Sequence, residues 1–163
     1  MLALVKEYFW IFFISMVPIV ELRGAVPAGL AMGLPVIPTY IVSVIGNMLP
    51  VPVILLFAKA VLLWCTKLPG GLGRFFMKIY DKGVEAGEKM QAKAGRGIYW
   101  ALFLFVAIPL PGTGAWTGCL AATLLDLKFW PSVLAVLCGV MTAGLIMGAA
   151  SAGLLGALGM IFA

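Results

Sequence analysis

Two apolar stretches of this chain, residues 9–34 and 98–124, are each interrupted by a short run rich in proline, glycine and polar residues. Backbone N–H and C=O groups freed inside hydrocarbon find no water, so such a break is tolerated only where protein or a water-filled cavity satisfies them. The two breaks, Glu21-Leu-Arg-Gly-Ala-Val-Pro27 and Pro109-Leu-Pro-Gly-Thr-Gly-Ala-Trp-Thr-Gly118, therefore mark a site as well as a fold. They also repeat. With an offset of 90, Gly24-Ala25 falls on Gly114-Ala115, Leu30-Ala31 on Leu120-Ala121 and Leu34 on Leu124. Downstream the offset becomes 93, where Pro38 meets Pro131, Thr39 meets Ser132, Gly46 meets Gly139 and Met48 meets Met141.

The solvent follows from composition. At 64% hydrophobic and 10% charged over 163 residues, the chain lacks the ionisable groups to cover a water-facing surface. It reads as an integral membrane protein. Apolar stretches cover residues 8–20, 36–66, 98–111 and 129–163, and none shows the alternation of an outer-membrane strand. The expected fold class is all-α.

Lengths set the topology. Tyr8–Val20 as a helix reaches roughly 20 Å at about 1.5 Å per residue, short of the roughly 30 Å hydrocarbon core. Pro18 and Pro27 bracket Glu21–Gly24, so the helix is expected to lapse there and resume over Ala25–Leu34. Two arrangements follow. In the preferred one, each broken segment is a re-entrant hairpin (8–34 and 98–127) followed by a transmembrane helix (38–65 and 131–152). The whole is one membrane domain of two repeats, 1–66 and 98–163, in opposite orientation, an inverted repeat. In the other, each broken segment crosses as a kinked helix. Pro50 and Pro52 kink the first full span, Asn47 reads as a polar interhelical contact, and Gly144 and Gly148 stand in GxxxG spacing for close packing.

Segment 67–97 carries seven Lys and Arg against three Asp and Glu, a basic loop expected in the cytoplasm. Its basic stretch suits anionic lipid headgroups, and nothing in it implies nucleic acid. Cys65, Cys119 and Cys138 lie in or at the ends of apolar helices without metal-ligand spacing, so they read as packing residues, and no cofactor is implied. With no histidine in the chain, proton chemistry inside the bilayer falls to a carboxylate. Lys6 and Tyr8–Val20 imitate a signal peptide, but their match to a mid-chain segment favours mature structure.

The two break motifs together resemble the small multidrug export protein family, and the paired-hairpin layout is similar to the wider DedA/VTT superfamily. The resemblance covers almost the whole chain. It implies a transporter of the bacterial or archaeal inner membrane.

The residues make their own case. Glu21 and Arg23 are ionisable groups well inside an apolar segment, which costs several kcal/mol unless they are paired or hydrated. Either they serve transport, or they form a structural ion pair, with Arg23 capping carbonyls freed by the prolines. In the second break, Thr113 between Gly112 and Gly114 is placed to N-cap a half-helix ending at Leu124, and Gly24 to open the matching one. Two such N-termini plus Arg23 favour an anion; Glu21 favours a proton or a lipophilic cation. Trp116 either stacks on a ligand or packs, while Trp10, Trp64, Trp100 and Trp130 read as interfacial anchors. The candidate binding set is Glu21, Arg23, Gly24, Pro27, Pro109, Pro111, Gly112, Thr113, Gly114, Trp116 and Thr117.

No nucleophile, paired-carboxylate or phosphate-loop constellation is present, so an enzyme is not expected. The chain reads as a secondary transporter, a proton-coupled exporter of small amphipathic compounds. The alternatives are a transporter or flippase of anionic lipid carriers, and a non-transporting structural protein of the membrane. So few spans hardly enclose a pathway, and a homodimer is expected.

Overall fold

The structure, a computed structural model, describes residues 2–18, 20–78, 80, 81, 84, 97–110 and 112–162. Within the basic segment 67–97, residues 79, 82, 83 and 85–96 lie outside these residues, as does Pro111. Among the described residues all regular structure is helical: residues 71–78, and the elements α1 (Leu2–Met16), α2 (Glu21–Ala31), α3 (Val36–Met48), α4 (Pro50–Thr66), α5 (Ile98–Ala107), α6 (Ala115–Leu124) and α7 (Phe129–Phe162).

Prolines end the first helix of each pair. α1 stops ahead of Pro18, which has no N–H to give to Ile14, and the Val17 N–H closes the last turn on the Ile14 carbonyl at 3.2 Å. α5 stops at Ile108, which Pro109 holds in an extended conformation (φ −77°, ψ 118°). The first break is shorter and earlier than the expected lapse over Glu21–Gly24. Glu21 takes a left-handed φ of 50°, turning the chain in one residue, and α2 begins there and not at Ala25. Pro27 consequently lies inside α2, where its missing N–H removes one helical bond without ending the helix.

Val36–Thr66 and Phe129–Gly153, of 31 and 25 residues, are long and apolar enough to cross a membrane. The first consists of α3 and α4 joined through Leu49, itself helical (φ −61°, ψ −44°), so helical backbone continues up to the prolines at 50 and 52 and past them. By contrast α1, α2, α5 and α6, of 10 to 15 residues, reach only about 15–22 Å at ~1.5 Å per residue. α3 and α7 run antiparallel. The Tyr40 hydroxyl donates to the Met141 carbonyl at 3.1 Å, and Val36 lies nearest Gly148. A Cβ at Gly144 would stand 2.6 Å from the Tyr40 ring and 2.7 Å from Leu22, whereas Gly148 has 3.9 Å to spare, so only the first glycine of the GxxxG pair is needed for close approach.

Residues 93 apart occupy equivalent places. Glu21–Leu30 and Gly114–Thr123 share one burial sequence at nine of ten positions, and Thr39, Ser43, Gly46 and Asn47 are buried as Ser132, Val136, Gly139 and Val140 are. Hydrogen bonds repeat too. Gly33 and Leu34 donate to Leu30 and Gly29 at the end of α2, as Asp126 and Leu127 donate to Thr123 and Ala122 at the end of α6. Gly33 and Asp126 both hold the positive φ of this helix stop. The Thr39 hydroxyl bonds the Pro35 carbonyl as that of Ser132 bonds Lys128, each at 2.8 Å. The register of 93 therefore extends back through α2 and α6, replacing the 90 read from Gly24-Ala25. Gly46 and Gly139 each allow a first half-helix to cross closely, since a Cβ there would meet the Phe12 or the Phe103 carbonyl respectively.

The core gathers Leu22 and Val26 of α2, Val51 and Ile54 of α4, Leu102 and Val106 of α5, Ala115 and Cys119 of α6, and Val136 and Val140 of α7. Trp10, Trp64, Trp100 and Trp130 point outward, more than half exposed. Asn47 departs from expectation: it is fully buried, yet neither amide atom has a hydrogen-bond partner, so it makes no interhelical contact of that kind.

Candidate functional site

The reversal at Glu21 aims its side chain at the second break. The carboxylate, 3% exposed, accepts hydrogen bonds from the backbone N–H of Ala115 (3.2 Å) and of Trp116 (2.9 Å). These are the first residues of α6, so a carboxylate from one half caps a helix of the other and sits at its positive dipole end. Gly114 makes room for it. Any Cβ at that position would press on both carboxylate oxygens, and its φ of 142° disfavours a side chain in any case.

Two expectations are corrected here. Thr113 does not cap α6; its hydroxyl turns back to the Ile108 carbonyl (2.8 Å) and the Leu110 carbonyl (2.9 Å), steadying the break from within. Gly24 does not open α2 either, because Glu21 already has, and it lies in the first turn against Val20.

Arg23 crosses to the same break. Its guanidinium donates to the carbonyls of Val106 (2.9 Å), Ile108 (3.1 Å), Leu110 (3.2 Å) and Thr113. These are oxygens of the last turn of α5 and of the Pro/Gly run, which have lost helical donors. Glu21 and Arg23 form no ion pair; among the described residues the one salt bridge joins Lys59 of α4 to Asp126, at 2.5 Å. The clasp is reciprocal. Trp116, 93 residues after Arg23, donates its indole N–H to the Met16 carbonyl at the end of α1, at 3.1 Å. Each break thus has a side chain from the other half closing the end of its first helix.

A cleft of about 520 Å³ opens between the breaks. Of the sequence candidates, Glu21, Arg23, Gly24, Pro109, Gly112, Thr113, Trp116 and Thr117 line it. Gly114 lies buried beneath the carboxylate, Pro27 is one turn deeper in α2, and Pro111 falls outside the described residues. Pro18, Val20, Leu110, Leu120 and Met147 complete the wall. Met147, brought from α7 across the bundle, had no local signal in the sequence. The wall is mostly apolar with a carboxylate and a guanidinium at its base, which suits a small amphipathic molecule.

A family model described as "Putative small multi-drug export protein" matches residues 21–146, from Glu21 through both breaks and into α7. The chain matches no curated protein and no solved structure.

Proposed function

The chain belongs to the small multi-drug export protein family, a family of membrane proteins, and from that premise we propose that it is a proton-coupled secondary transporter of small amphipathic compounds. The substrate binds in the cleft between the two breaks, and Glu21 exchanges it for a proton. One observation carries this reading: a buried carboxylate that forms no salt bridge among the described residues, caps a helix of the opposite half and lines the cleft. Protonation weakens its hold on the Ala115 and Trp116 N–H groups, so proton binding is linked to the contact between the halves.

The membrane arrangement we propose is the inverted one. The antiparallel α3 and α7, the equivalence of residues 93 apart and the Lys59–Asp126 pair all favour it, since the pair ties the end of the second hairpin to the late part of the first long helix. In a kinked four-span chain those two residues belong to opposite faces. The hairpins are then re-entrant, in the prokaryotic inner membrane, with a homodimer supplying the rest of the pathway.

The anionic-lipid reading is less well supported. The α6 N-terminus is already filled by a carboxylate, and four of the Arg23 guanidinium's bonds go to backbone carbonyls. The test uses purified protein in liposomes, offered ethidium as a lipophilic cation or a labelled polyprenyl phosphate under an imposed pH gradient. Ethidium movement that Glu21→Gln abolishes supports the proposal; normal transport by Glu21→Gln removes the coupling role, and movement of the polyprenyl phosphate alone supports the alternative.

A further inference from the structure

Among the described residues, the buried side-chain nitrogen and oxygen atoms with no partner in the protein are Arg23 Nε, Ser43 Oγ and both polar atoms of Asn47. Ser43 and Asn47 are 0% exposed and stand one turn apart on one face of α3, within the apolar rod Val36–Thr66. An unpaired amide and hydroxyl in such surroundings destabilise a fold. Packing does not require them, because the equivalent places 93 residues on are held by Val136 and Val140, 0% and 1% exposed. The same positions are filled by aliphatic side chains in one half and by polar ones in the other.

The backbone beside them adds acceptors. Pro50 and Pro52 have no N–H, so the carbonyls four residues earlier, Gly46 and Met48, lack their helical donors. The level of the pair is also fixed. Gly46 packs on Phe12 and Ser15 of α1, and the next residue of α1, Met16, receives the Trp116 indole at the base of the cleft. Of the groups on the elements around α3, Lys6 and Glu7 lie two turns back along α1 from Ser15, and Lys59 three turns on along α4 from Asn47. The Tyr40 hydroxyl is spent on the Met141 carbonyl, and Cys119 and Cys138 are thiols. Arg23 is held by carbonyls, which leaves Glu21 as the carboxylate at this level among the described residues.

The missing partner has to donate, to Asn47 Oδ1 and the freed carbonyls, and also to accept, from Asn47 Nδ2. A metal cation satisfies only the acceptors. Water does both and needs two to four polar partners, which this site supplies. We propose that Ser43 and Asn47 hold ordered water that relays protons to and from Glu21. The inference rests on the coupling role given to Glu21 above. In the relay, a protonated water passes its proton to the carboxylate, the new O–H bond forming as the water O–H breaks, and the chain of waters is reprotonated from bulk solvent.

The test pairs stability with transport. Asn47→Val and Ser43→Ala are expected to keep the melting temperature in detergent within a few degrees of the parent or raise it. Both should bind ethidium within twofold of the parent, while pH-gradient-driven ethidium transport and the accompanying proton flux, read with pyranine in liposomes, fall at least tenfold. Asn47→Ser, which restores a donor and acceptor, should recover a measurable part of the flux. Parent-like flux in Asn47→Val overturns the water path, and so does a melting temperature lowered by 10 degrees or more, since the amide is then a structural element. Failure of the coupling reading is told apart by Glu21→Gln: if that variant transports normally the coupling is wrong, whereas a dead Glu21→Gln beside an active Asn47→Val removes only the relay.

Discussion

Replacing Arg23 by methionine separates a structural clasp from a substrate contact. Methionine keeps the unbranched apolar stem of arginine but removes the guanidinium and its bonds to four carbonyls. Two of those carbonyls, Val106 and Thr113, are partly buried, and two, Ile108 and Leu110, are exposed. A buried acceptor left without a donor costs about 1–3 kcal/mol, so the two sheltered carbonyls set a loss of about 2–6 kcal/mol, with little added by the exposed ones. Arg23→Lys should lose less, because an ammonium with three donors still serves part of the set. The assay is unfolding in mixed micelles by titration with sodium dodecyl sulfate, followed by tryptophan fluorescence. A methionine variant within 1 kcal/mol of the parent that nevertheless fails to transport would refute the clasp and return Arg23 to the substrate.

Gly114→Ala should be more damaging than its size suggests, by about 2–4 kcal/mol, from strain at a positive φ together with displacement of the Glu21 carboxylate; the same titration reads it, and a neutral result means the carboxylate is free to move aside. In the inverted arrangement, single cysteines at Gly33 and Lys128 in a cysteine-free background label with a membrane-impermeant maleimide from opposite faces, and labelling of both from one face excludes it.

Much of the layout was legible. Pro18 and Pro109 end α1 and α5 because of what proline lacks, and the two long spans follow from the length of the apolar runs. The eight cleft residues read from the breaks came from the simple rule that polar groups in hydrocarbon need a reason. What the residues did not reveal is long-range. Thr113 is a good N-cap by type, yet a carboxylate 93 positions upstream of Gly114 takes that role, and no local pattern tells which of two oxygen-bearing side chains will reach an N–H first. The early restart of α2 depended on one left-handed residue, Glu21, a residue type that seldom adopts it. The register of 93 across α2 was obscured by Gly24-Ala25, which matches Gly114-Ala115 in letters but not in place.

The exchange of Arg23 and Trp116 between halves bears on how the chain is made. The Trp116 indole reaches a carbonyl 100 residues earlier, and Arg23 finds its carbonyls 83 to 90 residues later. At about 5–20 residues per second of synthesis, the first hairpin waits roughly 4–20 s in the nascent chain before its partners emerge. Through that interval a carboxylate and a guanidinium stand without their final contacts beside a forming membrane helix. The contacts that close the two breaks therefore form only after the second break has been synthesised, and the first helix pair takes its final packing late in the folding route.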